Sequence, residues 1–250
     1  MKIKNFLLVI VLTLIICISG RQVVKAGSPP SPPTSAGAAA IRGVVKFTGA
    51  VPAAKPISMS ADPSCAKQHP VPFLAQEVVV DSKGGLQNAI VFVADGLGDR
   101  TFDPPTEPVV IAQKGCLYQP HVLAVRANQP LEVVNNDSTA HNIHPTPANN
   151  REWNKAELPG GKVEEAFARE EIAIPVKCNI HPWMRGYIAV FKHPYFVVTK
   201  DDGTFDLSNL PPGTYTIKAW HEKLGTMTQK ITVVPGEAGS VDFVFKSPGK

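Results

Sequence analysis

The sequence predicts an all-β protein built from two β-sandwiches in series, and three observations carry that prediction. From Ile41 onward, short runs rich in β-branched and aromatic residues recur between turn signals at sandwich spacing. The 24 prolines and 19 glycines, about 17 per cent of 250 residues, break the chain too often for a helical bundle but lack a collagen period. Gly203 to Trp220 alternates with period two around a Pro-Pro-Gly turn at 211–213, the pattern of a hairpin. With 44% apolar residues the chain can bury a sizeable core.

The elements follow in order. Phe6 to Ile18 is an apolar run behind Lys2 and Lys4, long enough for a signal h-region and short for a membrane span. Val24-Lys25-Ala26 supplies the small-residue cleavage pattern, so 1–26 is expected to be a signal peptide, with an uncleaved N-terminal anchor as the alternative. Only in that alternative does the protein meet a membrane. A lipoprotein reading of Cys17 is discounted because Ile16 precedes it. Export places the mature chain in the periplasm or another extracellular, oxidising space. Residues 27–40, rich in Pro, Ser and Ala and without charge, read as a linker.

Strands are expected at Val44 to Phe47, Val78 to Val80, Ala89 to Ala94, Val109 to Ala112, Val122 to Arg126, Leu131 to Val134, Glu171 to Val176 and Tyr187 to Phe191. The one plausible helix is Lys162 to Glu171, which reads equally as a loop into the next strand. The Pro-rich stretches Val51 to Pro56 and Asp103 to Pro108 read as excursions within the first domain, 41–192. A second domain spans 193–250, with further strands at Gln229 to Val234 and Val241 to Phe245. It is short enough to need a strand from elsewhere, and Ile41 to Thr48 is the candidate.

The formal charge of +4, from 25 bases and 21 acids, is positional. Residues 1–26 hold Lys2, Lys4, Arg21 and Lys25 and no acid, so the remainder is balanced. Nucleic-acid partners are excluded on this distribution, and long-range steering is weak. No Gly-rich phosphate loop, Gly-x-Ser-x-Gly elbow or His-Glu-x-x-His run is present, which removes the starting points for kinase and hydrolase readings. Glu164-Glu165 and Glu170-Glu171 read as a solvated face.

The chemistry lies in Cys178-Asn-Ile-His181-Pro-Trp-Met184, taken with Ala140-His141-Asn-Ile-His144. A thiolate, imidazoles and a thioether form the donor set that suits copper in electron transfer. A Cys, a His three residues on and a Met three beyond let one tight loop present three donors to a point. Pro182 stiffens that loop, and Arg185-Gly186 lets the chain leave it. His144 competes with His141, but residues i and i+3 of a strand face opposite sides, so one ion takes one of them. His69, His121, His193 and His221 are expected in ordinary hydrogen-bonded or exposed roles. Seven histidines are too few for the second cluster of a multicopper oxidase.

These residues carry two resemblances. The stretch Leu123 to Asn142 and the loop Cys-x-x-His-x-x-Met with Arg-Gly after it resemble the cupredoxins, the blue copper proteins of amicyanin and plastocyanin type. The resemblance implies a Greek-key sandwich with one type 1 copper ion held by His141, Cys178, His181 and Met184, braced by Asn142. It implies an electron carrier and not a catalyst. His181 would be its partly exposed access point, with Pro182 and Trp183 forming an apolar patch for transient redox protein partners. Two departures stand out: Ile172 to Cys178 lacks the family's aromatic pattern and contains Pro175, and the stretch from His141 to Cys178 is rich in Asn, Pro and charge. With Cys178 on the metal, Cys65 and Cys116 remain as a disulfide pair; pairing of either with Cys178, or free thiols, are the alternatives. Leu210-Pro-Pro-Gly-Thr-Tyr215 resembles the carboxypeptidase-regulatory-like, transthyretin-like β-sandwich over Phe196 to Phe245, which implies a spacer or packing role. Two other functions stay open: a periplasmic copper carrier or sensor, and a structural or carbohydrate-binding protein with a vestigial copper site.

Overall fold

The computed structural model describes residues 37–247. The signal peptide expected over 1–26, and 27–36 of the linker, lie outside the described residues. No helix among the described residues is long and apolar enough to cross a membrane.

The described residues begin with β1 (Ala39–Thr48), a one-turn helix α1 (Pro63–Ala66), β2 (Ile90–Asp95), β3 (Val109–Gln113), β4 (Tyr118–Gln119) and β5 (Val122–Arg126). It continues through β6 (Leu131–Asn135), β7 (His141–Pro145), β8 (Lys155–Glu157), β9 (Lys162–Glu165), β10 (Glu171–Lys177) and β11 (Arg185–Phe191). The last third holds β12 (Phe196–Val198), β13 (Thr204–Leu210), β14 (Gly213–His221), β15 (Gly225–Val233), β16 (Ala238–Ser240) and β17 (Phe243–Lys246). Lys162 to Glu171 is no helix. Its first half is β9, antiparallel to β6, because Lys162 and Glu164 alternate with Val163 at period two and pair across to Glu132 and its neighbours.

Two sandwiches result. In the first, the sheet β5-β11-β10-β7-β8 and the sheet β4-β3-β6-β9 enclose a core that includes Ile111, Val125, Leu131, Ile143, Phe167 and Ile188. In the second, β12-β2-β14-β15 and the sheet formed by β1 with β13, β16 and β17 enclose Ile41, Val45, Val91, Phe205, Ile217 and Phe243. A third apolar cluster of Ile90, Phe92, Val122, Ala189 and Phe191 joins the outer face of β2 to β5 and β11. β2 therefore buries both faces, Val91 and Val93 toward one core and Ile90 and Phe92 toward the other, which is why IVFV reads as an unbroken apolar run.

This pairing corrects the expected boundary at 192/193. β1 lies between β13 and the parallel strands β16 and β17, and β2 pairs with β12 and β14. Two strands from the N-terminal part thus complete the C-terminal sandwich, Ile41 to Thr48 among them, because without β1 and β2 the strands of 193–250 would lack the interior partner that joins each sheet. Gly43 is where β1 meets the end of that module: a Cβ there would sit 1.7 Å from the Val241 carbonyl oxygen. The expected linker also ends early, since Ala39 is buried and paired with Leu210. At the Pro-Pro-Gly turn between β13 and β14, the Tyr215 hydroxyl donates to the Pro211 carbonyl at 2.6 Å and closes the turn. Val78 to Val80 forms no strand, only a bridge from Val80 to Leu86.

Candidate metal centre

β10 delivers Cys178 to the end of the first sandwich, the loop 178–184 turns, and β11 carries the chain away. The Cys178 N–H donates to the Met184 carbonyl at 3.1 Å and the Met184 N–H to the His181 carbonyl at 2.9 Å, which pins the loop at both ends. Gly186 is required just beyond it: a Cβ would meet the His121 carbonyl oxygen at 2.7 Å. β7, beside β10, brings in His141. Pairing between β10 and β7 is limited to Val176 with Pro145 and Lys177 with His144, because Pro175 and Pro145 each lack a ladder N–H. A bulge before this pairing, with Ala173 at φ 63°, absorbs the irregularity that Pro175 brings.

The two strands and the loop bring His141, Cys178 and His181 together, with one donor atom of each within 4.8 Å of the others, all buried. The two imidazoles face each other Nδ1 to Nδ1 at 2.9 Å, and His181 Nδ1 lies 3.9 Å from the Cys178 sulfur. The His181 backbone N–H points at that sulfur at 3.4 Å. Met184 is fully buried in the same apolar cluster as Cys178. Asn142 spans the site: its Oδ1 accepts the Asn179 N–H at 2.7 Å and lies 3.3 Å from the Cys178 sulfur, while its amide donates to Asn154. His144 is held apart, with Nε2 on Glu152 at 2.6 Å and Nδ1 on Asn179 at 3.2 Å.

The far nitrogen of each imidazole meets a carboxylate. His141 Nε2 is 2.9 Å from Asp137 and His181 Nε2 is 3.0 Å from Asp62. The bond from His181 holds the Asp62 carboxyl down at about 2, against the opposing effect of burial. Burial lowers the His141 pKa, and Asp137 only partly restores it. If both Nε2 protons go to carboxylates, two bare lone pairs confront each other at 2.9 Å beside a thiol. A cation between them removes that repulsion. Metal–nitrogen bonds of about 2.0 Å and a metal–thiolate bond of about 2.3 Å would put the donor atoms about 3.3 to 3.7 Å apart; His181 Nδ1, 3.9 Å from the sulfur, is near this, and the two Nδ1 atoms at 2.9 Å would part slightly to admit an ion. The donor set therefore fits a soft-tolerant transition metal.

Cys65 and Cys116 form a disulfide with Cα atoms 5.6 Å apart, and among the described residues Cys178 is the free cysteine. The bridge fastens the excursion carrying α1 over the site, so the Cys65 sulfur lies 3.8 Å from His181 Nε2. This corrects the expectation of a partly exposed His181: the residue is 2% exposed. The apolar surface beside it comes from Ile180, 53% exposed, with Pro182 exposed and Trp183 half-buried. The Trp183 ring packs on His181 at a centroid distance of 5.0 Å, and its Nε1–H donates to the Cys116 carbonyl.

Two residues of the site, Asp62 and Asp137, escape a reading of the sequence. Asp62 before Pro63 is a helix-start signal and does cap α1, but nothing local links it to a histidine 119 positions away. Asp137 stands four residues before His141, within a polar run that reads as a plain turn. Of the other histidines, His69 bonds the Gly115 carbonyl, His121 pairs with Glu222, and His193 and His221 accept backbone N–H groups. A cleft of about 690 Å³ lined by Asp95, Asp99, Glu170, His193 and Lys218 includes none of the donor residues.

Comparison with known proteins agrees with the C-terminal resemblance. A family model for the carboxypeptidase regulatory-like domain matches residues 188–246. No curated protein matches the chain. Among solved structures, the chain is similar to a copper-containing nitrite reductase from Thermus scotoductus at 21% identity and a TM-score of 0.33, over 39% of this chain and 25% of that one. The chain thus spans about a quarter of that enzyme. It is also similar to a purple cupredoxin from Nitrosopumilus maritimus (24% identity, TM-score 0.29, 32% of this chain and 97% of that one). Similarity to a variant of amicyanin is at 16% identity with a TM-score of 0.32, over 41% of this chain and 98% of that one.

Proposed function

We propose that this chain is an exported copper protein that passes single electrons between redox partners, with one ion that would be held by His141, Cys178, His181 and Met184. The observation that carries the reading is the convergence of two imidazole nitrogens and one thiol sulfur within 4.8 Å, buried, each imidazole backed by a carboxylate. Copper bound there would supply a one-electron couple. The chain's part is to hold the donors still. The loop bonds between Cys178, His181 and Met184, the Asn142 brace between β7 and the loop, and the His181 N–H aimed at the sulfur all fix donor positions before any metal arrives. A frame of this kind leaves little to rearrange when charge changes.

Burial bears on the rivals. A carrier or sensor must release its ion, and release needs an open path to a donor atom. Here the sulfur and both imidazoles are buried, with Asp62 and the disulfide over His181, which favours a resident ion over an exchanging one. The disulfide supports an oxidising compartment. Ile180, Pro182 and Trp183 offer the apolar surface nearest the site, and partner docking is assigned there. The C-terminal sandwich, packed through Phe92 and Phe191, serves as a support for the first.

The test is redox cycling of the copper-loaded chain in the presence of a Cu(I) chelator. The reading expects many reversible one-electron cycles with the ion retained, and none in Cys178→Ala. Rapid loss of copper on the first reduction would favour a carrier and refute electron transfer.

A further inference from the structure

We infer that Asp62 and Asp137 act as a paired carboxylate clamp, joined across the Cys65–Cys116 disulfide, that sets the tautomer and the aim of both metal-facing imidazoles. The inference rests on the copper reading for its electronic consequence only; its geometry stands on the chain itself.

Both aspartates make the same kind of double attachment. Asp137 takes the backbone N–H groups of Gly115 and Cys116 at 2.7 Å each, and its Oδ2 meets His141 Nε2 at 2.9 Å. Asp62 takes the N–H groups of Ser64 at 2.7 Å and Cys65 at 3.4 Å, and its Oδ2 meets the Thr139 hydroxyl at 3.2 Å and His181 Nε2 at 3.0 Å. Each carboxylate thus holds the backbone of one half-cystine and one imidazole, and the S–S bond links the two halves. Thr139, two residues before His141, ties Asp62 to the turn that carries Asp137. His141 and Asp137 lie in one local stretch of the first sandwich, whereas Asp62 arrives from the excursion between β1 and β2. The disulfide is the covalent link between them.

The chemistry follows from the bond direction. A neutral imidazole that gives its Nε2 proton to a carboxylate keeps Nδ1 bare, and here both Nδ1 atoms face the Cys178 sulfur region. Two carboxylates behind the ligands also raise imidazole basicity and favour the more highly charged oxidised ion. Asp62 and Asp137 are positioning residues, since they act through the histidines.

The experiment has two independent readouts. In the metal-free protein, imidazole ¹⁵N shifts report the tautomer of His181, with His141 as the internal control. Asp62→Asn keeps an acceptor and a helix cap but drops the charge; Asp62→Ala drops all three. The clamp predicts that the two carboxylates hold the Nε2–H tautomer at both histidines of the unaltered chain against the repulsion of the facing Nδ1 lone pairs, that it is lost at His181 but not His141 in Asp62→Ala, and that it is retained in Asp62→Asn. In the copper-loaded protein, Asp62→Asn should raise the reduced-to-oxidised ratio about tenfold, equal to about 59 mV for one electron. Asp62→Ala should weaken Cu(II) binding about 10- to 100-fold. Unaltered His181 signals in Asp62→Ala, or an unaltered ratio in Asp62→Asn, would overturn the inference. A chain that takes up no copper sinks the proposed function and leaves the ¹⁵N measurement to decide the clamp.

Discussion

Removing the Cys65–Cys116 cross-link should cost the metal-free protein about 4 kcal/mol. The two cysteines are 51 residues apart, and closing a loop of that size lowers the entropy of the unfolded chain by about 14 cal/mol/K, or about 4 kcal/mol at 25 °C. For a chain of this length that corresponds to a melting point lower by about 8 to 16 °C. Both residues are fully buried, so alanine, which brings no hydroxyl to satisfy, is the cleaner replacement. Replacing them together also leaves neither member of the pair free to bond Cys178. Guanidinium unfolding is compared for the oxidised protein, the same protein under reductant, and Cys65→Ala/Cys116→Ala. The loss common to the last two is the cross-link; the extra loss in the alanine variant is packing. A reduced protein that unfolds within about 1 kcal/mol of the oxidised one would refute the reasoning, because the excursion would then hold to the sandwich without its bridge.

Ile41→Ala should destabilise the chain by about 2 to 4 kcal/mol, since Ile41 is fully buried in the core of the second sandwich, and a 193–250 fragment should show no cooperative melt; a fragment that folds would contradict the strand exchange. His193 and His221 are held down at about 4 by burial. Unfolded, they titrate near 6.5, so the unfolded state binds more protons between these values. Their contribution is whole above about 6.5 and is lost as pH falls toward 4, by roughly 1 to 2 kcal/mol each once solvent screening is allowed for. Glu157, pushed up to about 7 by burial, works in the opposite sense, so the check is the difference between His221→Asn and the unaltered protein at each pH, where Glu157 cancels. A difference that does not shrink the acid loss counts against the assignment. Trp183→Glu should slow transfer to a redox partner by roughly tenfold, the worth of one aromatic contact, while leaving the copper spectrum in place; stopped-flow rates unaltered by the charge would remove Trp183 from the docking surface.

Most strands are readable because each half-buried strand repeats with period two, as Ile41, Val45 and Phe47 do in β1 and Tyr215, Ile217 and Ala219 do in β14. The donor residues are readable for a different reason: Cys178, His181 and Met184 share one loop, and spacing alone brings them near each other. Strand partnership is not local. Nothing near Ile90 says that β2 pairs with β12 and β14, since those strands lie about a hundred residues on. The short strands β8, β9 and β16 carry too few apolar residues for a pattern, and β12, three apolar residues, is too short to show a period. The burial of His181 belongs to the same class. It depends on an excursion whose own sequence, Asp62-Pro-Ser-Cys65, states a helix cap and a cysteine but not what they cover.

Titration of the metal-free chain with Cu(II), followed by visible absorption, tests the central claim most directly. The account predicts saturation at one equivalent with an intense thiolate-to-copper band, absent in Cys178→Ala and retained in His144→Ala. A colourless complex, or a band that survives the loss of Cys178, would contradict it.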